Sequence, residues 1–273
     1  MTGKMIGFIG AGNMGSAMIG GIVKSGFVSP KHIMASAHST ETLERIHNDF
    51  GIRTTLSSAE VATNSDVLFL AIKPNKFAEV LPQLADSLKE NCIVVSVAAG
   101  QSIPTIEKLL GNHIKLVRAM PNTPALVGES MSALCCNSHV TADELSYVKQ
   151  LFNCFGKAEI VTESMMDAVI GVAGSSPAYV YMFIEAMADA AVADGMPRAM
   201  AYQFASQSVL GAAKMVLETG KHPGELKDAV CSPGGTTIEA VAALEANGFR
   251  DAVISAQRAC VQKSKDMTLN ADK

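Results

Sequence analysis

The sequence predicts a doubly wound, mostly parallel α/β domain followed by an all-helical domain. Three observations predict it. Residues 4 to about 162 alternate short apolar runs with amphipathic stretches, the pattern of strands buried on both faces between covering helices. A glycine-rich turn, Gly10-x-Gly12-x-x-Gly15, follows the first apolar run directly. From Met165 to Met267 nothing reads as a strand. The 273 residues are enough for two domains of ordinary size. We place the boundary after residue 162, giving domains of residues 1–162 and 163–273.

The strand candidates in chain order are MIGFI (5–9), HIMAS (32–36), DVLFLAI (66–72), CIVVSVA (92–98), IKLVRAM (114–120) and AEIVT (158–162). They are short, continuous and rich in β-branched residues. Helix candidates lie between them at 13–26, 40–50, 75–90, 102–110 and 141–154. In the second half Ser175 and Ser176 precede Pro177, an N-cap followed by a first-turn proline. The helix that follows is apolar on nearly every side until Gly195 ends it, with Glu185 and Asp189 its only internal charges before Asp194. Such a helix must be covered on all sides. A domain of this size does that through a second copy of itself, or as the centre of a monomeric bundle. Further helices are expected at 197–219, 223–231, 236–247 and 250–268, with Gly220 and Gly248 as stops.

Composition excludes several classes. The chain is 48% hydrophobic and only 18% charged, which argues against disorder. A net charge of -4, no basic run and no tryptophan give no case for nucleic acid. Six cysteines without a C-x-x-C or paired histidines predict neither a zinc site nor a disulfide framework, and no metal is expected. The apolar N-terminal stretch carries Asn13, Ser16 and several glycines, so it reads as strand, turn and helix rather than an export signal or membrane span. A cytoplasmic protein without a membrane partner is expected.

The glycine turn has the context of a dinucleotide site, with strand before and helix after. Gly10 permits the tight turn, Gly12 lets a pyrophosphate approach the backbone, and Gly15 lets the helix pack on the sheet. The fold expected of residues 1–162 is therefore Rossmann-like. At the end of the second strand an acid would hold ribose hydroxyls. Here the chain reads Ser36-Ala37-His38-Ser39-Thr40, and the first acid is Glu41. That favours NADPH, with NADH use left open. Ser39 and Thr40 serve a helix N-cap or a phosphate contact. Lys73 and Asn122 end strands at the sheet's C-terminal edge, as ligand contacts or as a solvated lysine and a turn asparagine. His222, before Pro223, reads as a cap ahead of an acid catalyst. Glu163 stands at the domain junction, where it can hold the next helix's N-terminus, with or without meeting a substrate.

Another break needs a reason. CSPGGTT, Cys231 to Thr237, interrupts the helical half with two glycines and two hydroxyls at a helix restart. It is an ordinary capped helix or an anion site in which glycines clear the approach to free N–H groups.

Together GFIGAGNMG, DVLFLAIKP, VVSVAAG, MPNTP, GSSPAY and HPGELKDAVCSPGGTTIEAVAALE resemble the pyrroline-5-carboxylate reductase family, over Met5 to Asp266. The resemblance implies reduction of a cyclic imine acid to L-proline and an all-α C-terminal dimerisation domain. It also implies an interleaved homodimer that assembles into larger rings, typically decamers. Carried over by motif, cofactor contacts fall on Ala11, Gly12, Asn13, Met14, Gly15, Ser36, Ser58, Ala71, Ile72, Lys73, Pro74 and Ala99, beside Gly10. Substrate contacts fall on Glu163, Thr236 and Thr237. The N–H groups from Gly235 to Thr237 would take the carboxylate, and the Thr237 hydroxyl, the catalytic candidate, the imine nitrogen. Where the family carries an asparagine after the Lys-Asp pair, this chain has Ala229. Two rivals remain. A β-hydroxyacid dehydrogenase would need a lysine in the helical domain, and none occurs between Lys157 and Lys214. A non-catalytic dinucleotide sensor would need no substrate loop.

Overall fold

The computed structural model describes residues 3–271. The described residues divide into two compact units: residues 3–175 together with 260–271, and residues 176–259. By packing, residues 163–175 therefore belong with the sheet, whereas the sequence-based boundary at 162 assigns them to the helices.

The first unit is built on one eight-stranded sheet in the order β3-β2-β1-β4-β5-β6-β7-β8. Its strands are β1 (Ile6–Ile9), β2 (Ile33–Ser36), β3 (Arg53–Thr55), β4 (Val67–Leu70), β5 (Ile93–Ser96), β6 (Lys115–Met120), β7 (Ser130–Cys136) and β8 (Gly156–Ile160). All neighbouring pairs are parallel except β6 with β7. Alternate residues along each strand face opposite sides. Phe8, Phe69, Val95 and Val117 join one core with Met18, Ile22 and Phe152, and the Phe8 and Phe69 rings stack at 4.6 Å. Leu68, Leu70, Val94 and Leu116 join the other with Phe77, Leu81 and Ile106. The covering helices are α1 (Asn13–Ser25), α2 (Thr40–Phe50), α3 (Ser58–Asn64), α4 (Phe77–Val80), α5 (Ile103–Leu110), α6 (Ala142–Asn153) and α7 (Met166–Val169).

Three differences from the sequence reading have physical causes. The helix expected over 75–90 is instead the one turn of α4 among 3-10 turns at Pro74–Lys76, Leu81–Gln83 and Ala85–Ser87. Pro82 lacks the N–H that a continuous helix needs there. β3 reads Arg-Thr-Thr and has no apolar run to announce it. β7 reads SMSALCC, and it forms because the turn through Pro121 and Pro124 folds it back antiparallel on β6. Burial pushes the thiols of Cys92 and Cys135 up to about 12, so both stay protonated and inert.

The second unit contains α8 (Ser176–Ala193), α9 (Arg198–Thr219), α10 (Pro223–Val230), α11 (Thr236–Ala246) and the first half of α12 (Phe249–Ala271). α8 and α9 pack as a hairpin whose buried positions are alanines, Ala188, Ala201 and Ala205. Ala188 is the one buried residue of α8's eighteen. Tyr181, Met182, Phe204 and Leu217 are each at least 60% exposed. The run Glu163–Ala193 is long and apolar enough to cross a membrane by length and composition, and only 11% of its apolar window is buried within the chain. The apolar girth of α8 thus meets no complete cover in one copy.

Candidate functional site

The cleft lies where the glycine-rich turn meets the C-terminal ends of β1, β2 and β4. It encloses about 400 Å³ and is lined by Gly10, Ala11, Gly12, Ala37, His38, Ser39, Thr42, Ala71, Ile72, Lys73 and Lys76. Gly10 has φ +97, and a Cβ there would fall 2.5 Å from the Ala71 carbonyl oxygen. A Cβ on Gly15 would fall 2.4 Å from the Gly10 oxygen. Both glycines are demanded by the fold. Gly12 differs, because a Cβ there would meet nothing within 4 Å. Space beside Gly12 is open, so no contact within the chain requires a glycine there. Gly12 is also the N-cap of α1, with no side-chain cap and no acid in the first turn. The amides of Asn13, Met14 and Gly15 therefore keep their donors for an anion at the positive end of α1.

A smaller recess continues the cleft past β2, lined among others by Ser36, His38, Leu56 and Ser58. Ser36 ends β2, is buried, and shares a hydrogen bond of 3.1 Å with the Ser58 hydroxyl. The Ser36 carbonyl accepts from the Gly10 amide at 3.0 Å, which ties the strand end to the turn. Among the described residues, no carboxylate lines either part of this cleft, while His38, Lys73 and Lys76 do. Lys76 is also paired with Glu79 at 2.7 Å. An open glycine floor, unclaimed helix amides, a hydroxyl pair and cations suit a dinucleotide with an extra phosphate on its ribose. The Ser39 hydroxyl accepts from the Thr42 amide at 3.3 Å as the N-cap of α2.

Other sequence candidates fall into distinct roles. Ala71, Ile72 and Lys73 line the cleft, with Pro74 opening the turn beyond. Ala99 lies in the loop after β5, beside the core of Leu70 and Val94. Asn122 is spent on structure: its Nδ2 donates to the Ala173 carbonyl at 2.9 Å and its Oδ1 accepts from the Met131 amide at 3.0 Å. His222 Nδ1 accepts from the Gly224 amide at 3.1 Å, the cap expected of it. Glu163 holds a helix start, though an earlier one than expected. Its Oε1 accepts from the Ile103 amide of α5 at 2.8 Å and from Arg118 Nη1 at 2.9 Å. Arg118 and Lys76 were missed in the sequence. The available signal for Arg118 was a lone arginine inside the apolar run IKLVRAM.

In the second unit, CSPGGTT forms a tight turn and a helix start. The Gly235 amide donates to the Ser232 carbonyl at 3.0 Å, with Pro233 and a left-handed Gly234 (φ +65) between them. That is the type II arrangement, which requires glycine at its third position. Gly235 is then the N-cap of α11, which has no side-chain cap. Thr236 and Thr237 occupy the first two helical positions rather than the cap. The first-turn amides and the threonine hydroxyls are thus left for an external acceptor or donor.

Comparisons with known proteins carry the same pattern. A family described as pyrroline-5-carboxylate reductase dimerisation matches residues 163–267, and one described as NADP oxidoreductase, coenzyme F420-dependent, matches residues 5–100. The pyrroline-5-carboxylate reductase of Escherichia coli (strain K12) is 52% identical over 265 residues, 97% of this chain and 98% of that one. The Methanosarcina acetivorans enzyme is 43% identical over 98% of this chain and 99% of its own. The solved reductase of Coxiella burnetii superposes with a TM-score of 0.92 at 34% identity, over 98% of this chain and 99% of that one. The Plasmodium falciparum pyrroline carboxylate reductase, solved with NADP bound, superposes at 0.90 with 32% identity and the same coverage. A Mycobacterium tuberculosis 3-hydroxyisobutyrate dehydrogenase, at 14% identity and a TM-score of 0.52, shares the fold alone. With half of all positions identical along nearly its whole length, and with its glycine turn and CSPGGTT loop folded as described, the chain belongs to the pyrroline-5-carboxylate reductase family.

Proposed function

We propose the following division of labour for the reduction of Δ1-pyrroline-5-carboxylate to L-proline, the last step of proline biosynthesis. The amides of Asn13, Met14 and Gly15 bind the cofactor's pyrophosphate over Gly12, with Gly10 and Ala11 shaping the turn. Ser36 and Ser58 bound the ribose phosphate of NADPH, with NADH also accepted because hydroxyls repel neither form. Ala71, Ile72, Lys73, Pro74 and Ala99 border the nicotinamide half. When bound, the nicotinamide supplies the hydride that C5 of the ring accepts. Beside Gly235, whose own amide closes the turn on Ser232, the free first-turn amides of Thr236 and Thr237 bind the substrate carboxylate, as a helix N-terminus favours an anion. The Thr237 hydroxyl hydrogen-bonds the ring nitrogen and holds the protonated imine in place, which keeps C5 electrophilic. Glu163, with one oxygen already committed, borders the substrate through its other. An iminium needs no lysine to remove a hydroxyl proton, which suits a helical half without one near its start.

The enzyme self-associates through the dimerisation domain at 163–267. We take the exposed girth of α8 to be covered by the same helix region of a second copy, in an interleaved dimer that assembles into a decamer. On that reading the apolar run pairs with protein rather than lipid, the enzyme is cytoplasmic, and it needs neither membrane nor nucleic acid. We keep 162/163 as the functional boundary between cofactor and substrate domains.

The observation that carries the imine chemistry is the uncapped start of α11, with free amides and two hydroxyls behind a Pro-Gly-Gly turn. The test is an assay of the purified chain with the imine and NADPH. NADPH oxidation that depends on the imine and yields proline is expected. Turnover of a 3-hydroxy acid instead, or NADPH binding without any turnover, would replace this reading with one of its rivals.

A further inference from the structure

Arg118 stands out among the buried groups that the proposed chemistry does not use. It lies mid-strand in β6, is 3% exposed, and pairs in register with Ser96 of β5 and Cys135 of β7. Its Nη1 reaches Glu163 Oε1 at 2.9 Å. Its Nε and Nη2 are buried with no hydrogen-bond partner. A buried guanidinium with two donors unanswered is a cost to stability, and an apolar side chain of similar volume would serve a core better. Stability therefore does not account for its presence.

Position does. Glu163 Oε1 accepts from Arg118 and from the Ile103 amide, the first amide of α5. Arg118 thus anchors, through one carboxylate oxygen, the helix that follows the loop 97–101. The loop leaves the C-terminal end of β5, where the Val97 amide donates to the Leu70 carbonyl of β4 at 3.4 Å. Ala98, Gly100 and Gln101 within it are buried. Gly100, at φ +70, packs so closely on Met267 that a Cβ would fall 3.1 Å from that residue's Cβ. One end of the loop is fixed by the sheet and its middle by Met267. The other end is fixed by the Arg118–Glu163 clamp. In the sheet order β2-β1-β4-β5, the recess of Ser36 and Ser58 lies on one side of the glycine turn and this loop on the other. A dinucleotide laid across that switch point puts its ribose phosphate half toward β2 and its other half over β4 and β5.

We infer that Arg118 is a positioning residue for the nicotinamide half of the cofactor. It acts through Glu163 and the first turn of α5 to hold the loop 97–101 in its binding shape. The inference rests on the cleft being the NADPH site. A loop that must be ordered at binding weakens affinity for whatever it touches and for nothing else.

The test is a titration of the full-length enzyme, without imine, with NADPH and separately with 2′-phospho-ADP-ribose, which lacks the nicotinamide. Arg118→Met should raise the Kd for NADPH about tenfold and leave that for 2′-phospho-ADP-ribose within about twofold. Arg118→Lys, which keeps the charge but ends one bond short of the Nη1 that meets Glu163, should give a rise of about threefold for NADPH alone. Should Arg118→Met not fold, the lysine variant decides by itself. An unchanged NADPH Kd in the folded variant, or an equal loss for both ligands, overturns the inference. Failure of the wild type to bind either ligand overturns the reading of the cleft and the inference with it.

Discussion

The three motif glycines separate fold from binding, because the structure gives each a different reason to lack a side chain. At Gly12 the backbone is extended (φ -71, ψ -166) and a Cβ meets nothing within 4 Å. Gly12→Ala loses about 0.5–1 kcal/mol at the N-cap, where alanine ranks well below glycine, and regains about 0.4–1 kcal/mol from a less flexible unfolded chain. The melting temperature should therefore stay within about 2 °C of wild type. Gly10→Ala forces an L-residue to φ +97, with backbone at 2.5 Å that cannot yield. Gly15→Ala meets the Gly10 oxygen at 2.4 Å. Each should cost at least about 2 kcal/mol, a fall of roughly 4–8 °C. Binding should rank differently. A methyl on Gly12 stands where the pyrophosphate must approach and costs at least one charge-assisted hydrogen bond. That is about 1.5–3 kcal/mol, or roughly 10- to 150-fold in the Kd for NADPH. Thermal melts and NADPH fluorescence titrations on the three variants measure both axes. Wild-type NADPH affinity in Gly12→Ala, or a collapse of its stability, would refute the reasoning.

Three further outcomes are expected. Ser36→Asp puts a carboxylate at the buried end of β2 beside Ser58, and should shift kcat/KM toward NADH by at least about tenfold; a wild type that already strongly prefers NADH sinks the reading of this recess. Thr237→Val keeps the shape and removes the hydroxyl, so kcat/KM for the imine should fall roughly 10- to 150-fold. Because Gly235 rather than Thr237 caps α11, its melting temperature should barely move, and a variant that melts lower yet turns over normally would make Thr237 a purely structural residue. Met182→Asp charges the exposed girth of α8 and should dissociate and destabilise the protein together; a wild type that sediments as a stable monomer at micromolar concentration contradicts that.

What the sequence revealed depended on how local the determinant was. β1, the glycine turn and α1 were readable because strand, turn and helix chemistry all fall within twenty residues. α8 was readable because its apolarity is a property of its own side chains. β3 and β7 were not, since each forms only by pairing with a neighbour already in place. Pro82 stands in the sequence, yet the amphipathic pattern around it reads as one helix over 75–90, where the structure has broken turns from Pro74 to Ser87. At the site, the Ser36–Ser58 pair was legible only through family resemblance, because the two are 22 positions apart. Arg118 and Glu163 are 45 apart, and no spacing rule joins them.

The order in which α12 is made has a consequence for biosynthesis. Its residues 260–271 pack with the sheet unit, where the Ser264 hydroxyl donates to Asp167 at 2.6 Å and Met267 abuts Gly100. The unit begun by the first strand is thus finished by residues that leave the ribosome after all of 176–259. A nascent chain can lay down the parallel strands early, but it cannot seat the loop 97–101 against Met267 until the helical insert has been synthesised. Cofactor competence should accordingly arrive late in translation, and a fragment ending near residue 175 should hold the sheet while lacking one wall of its nicotinamide side.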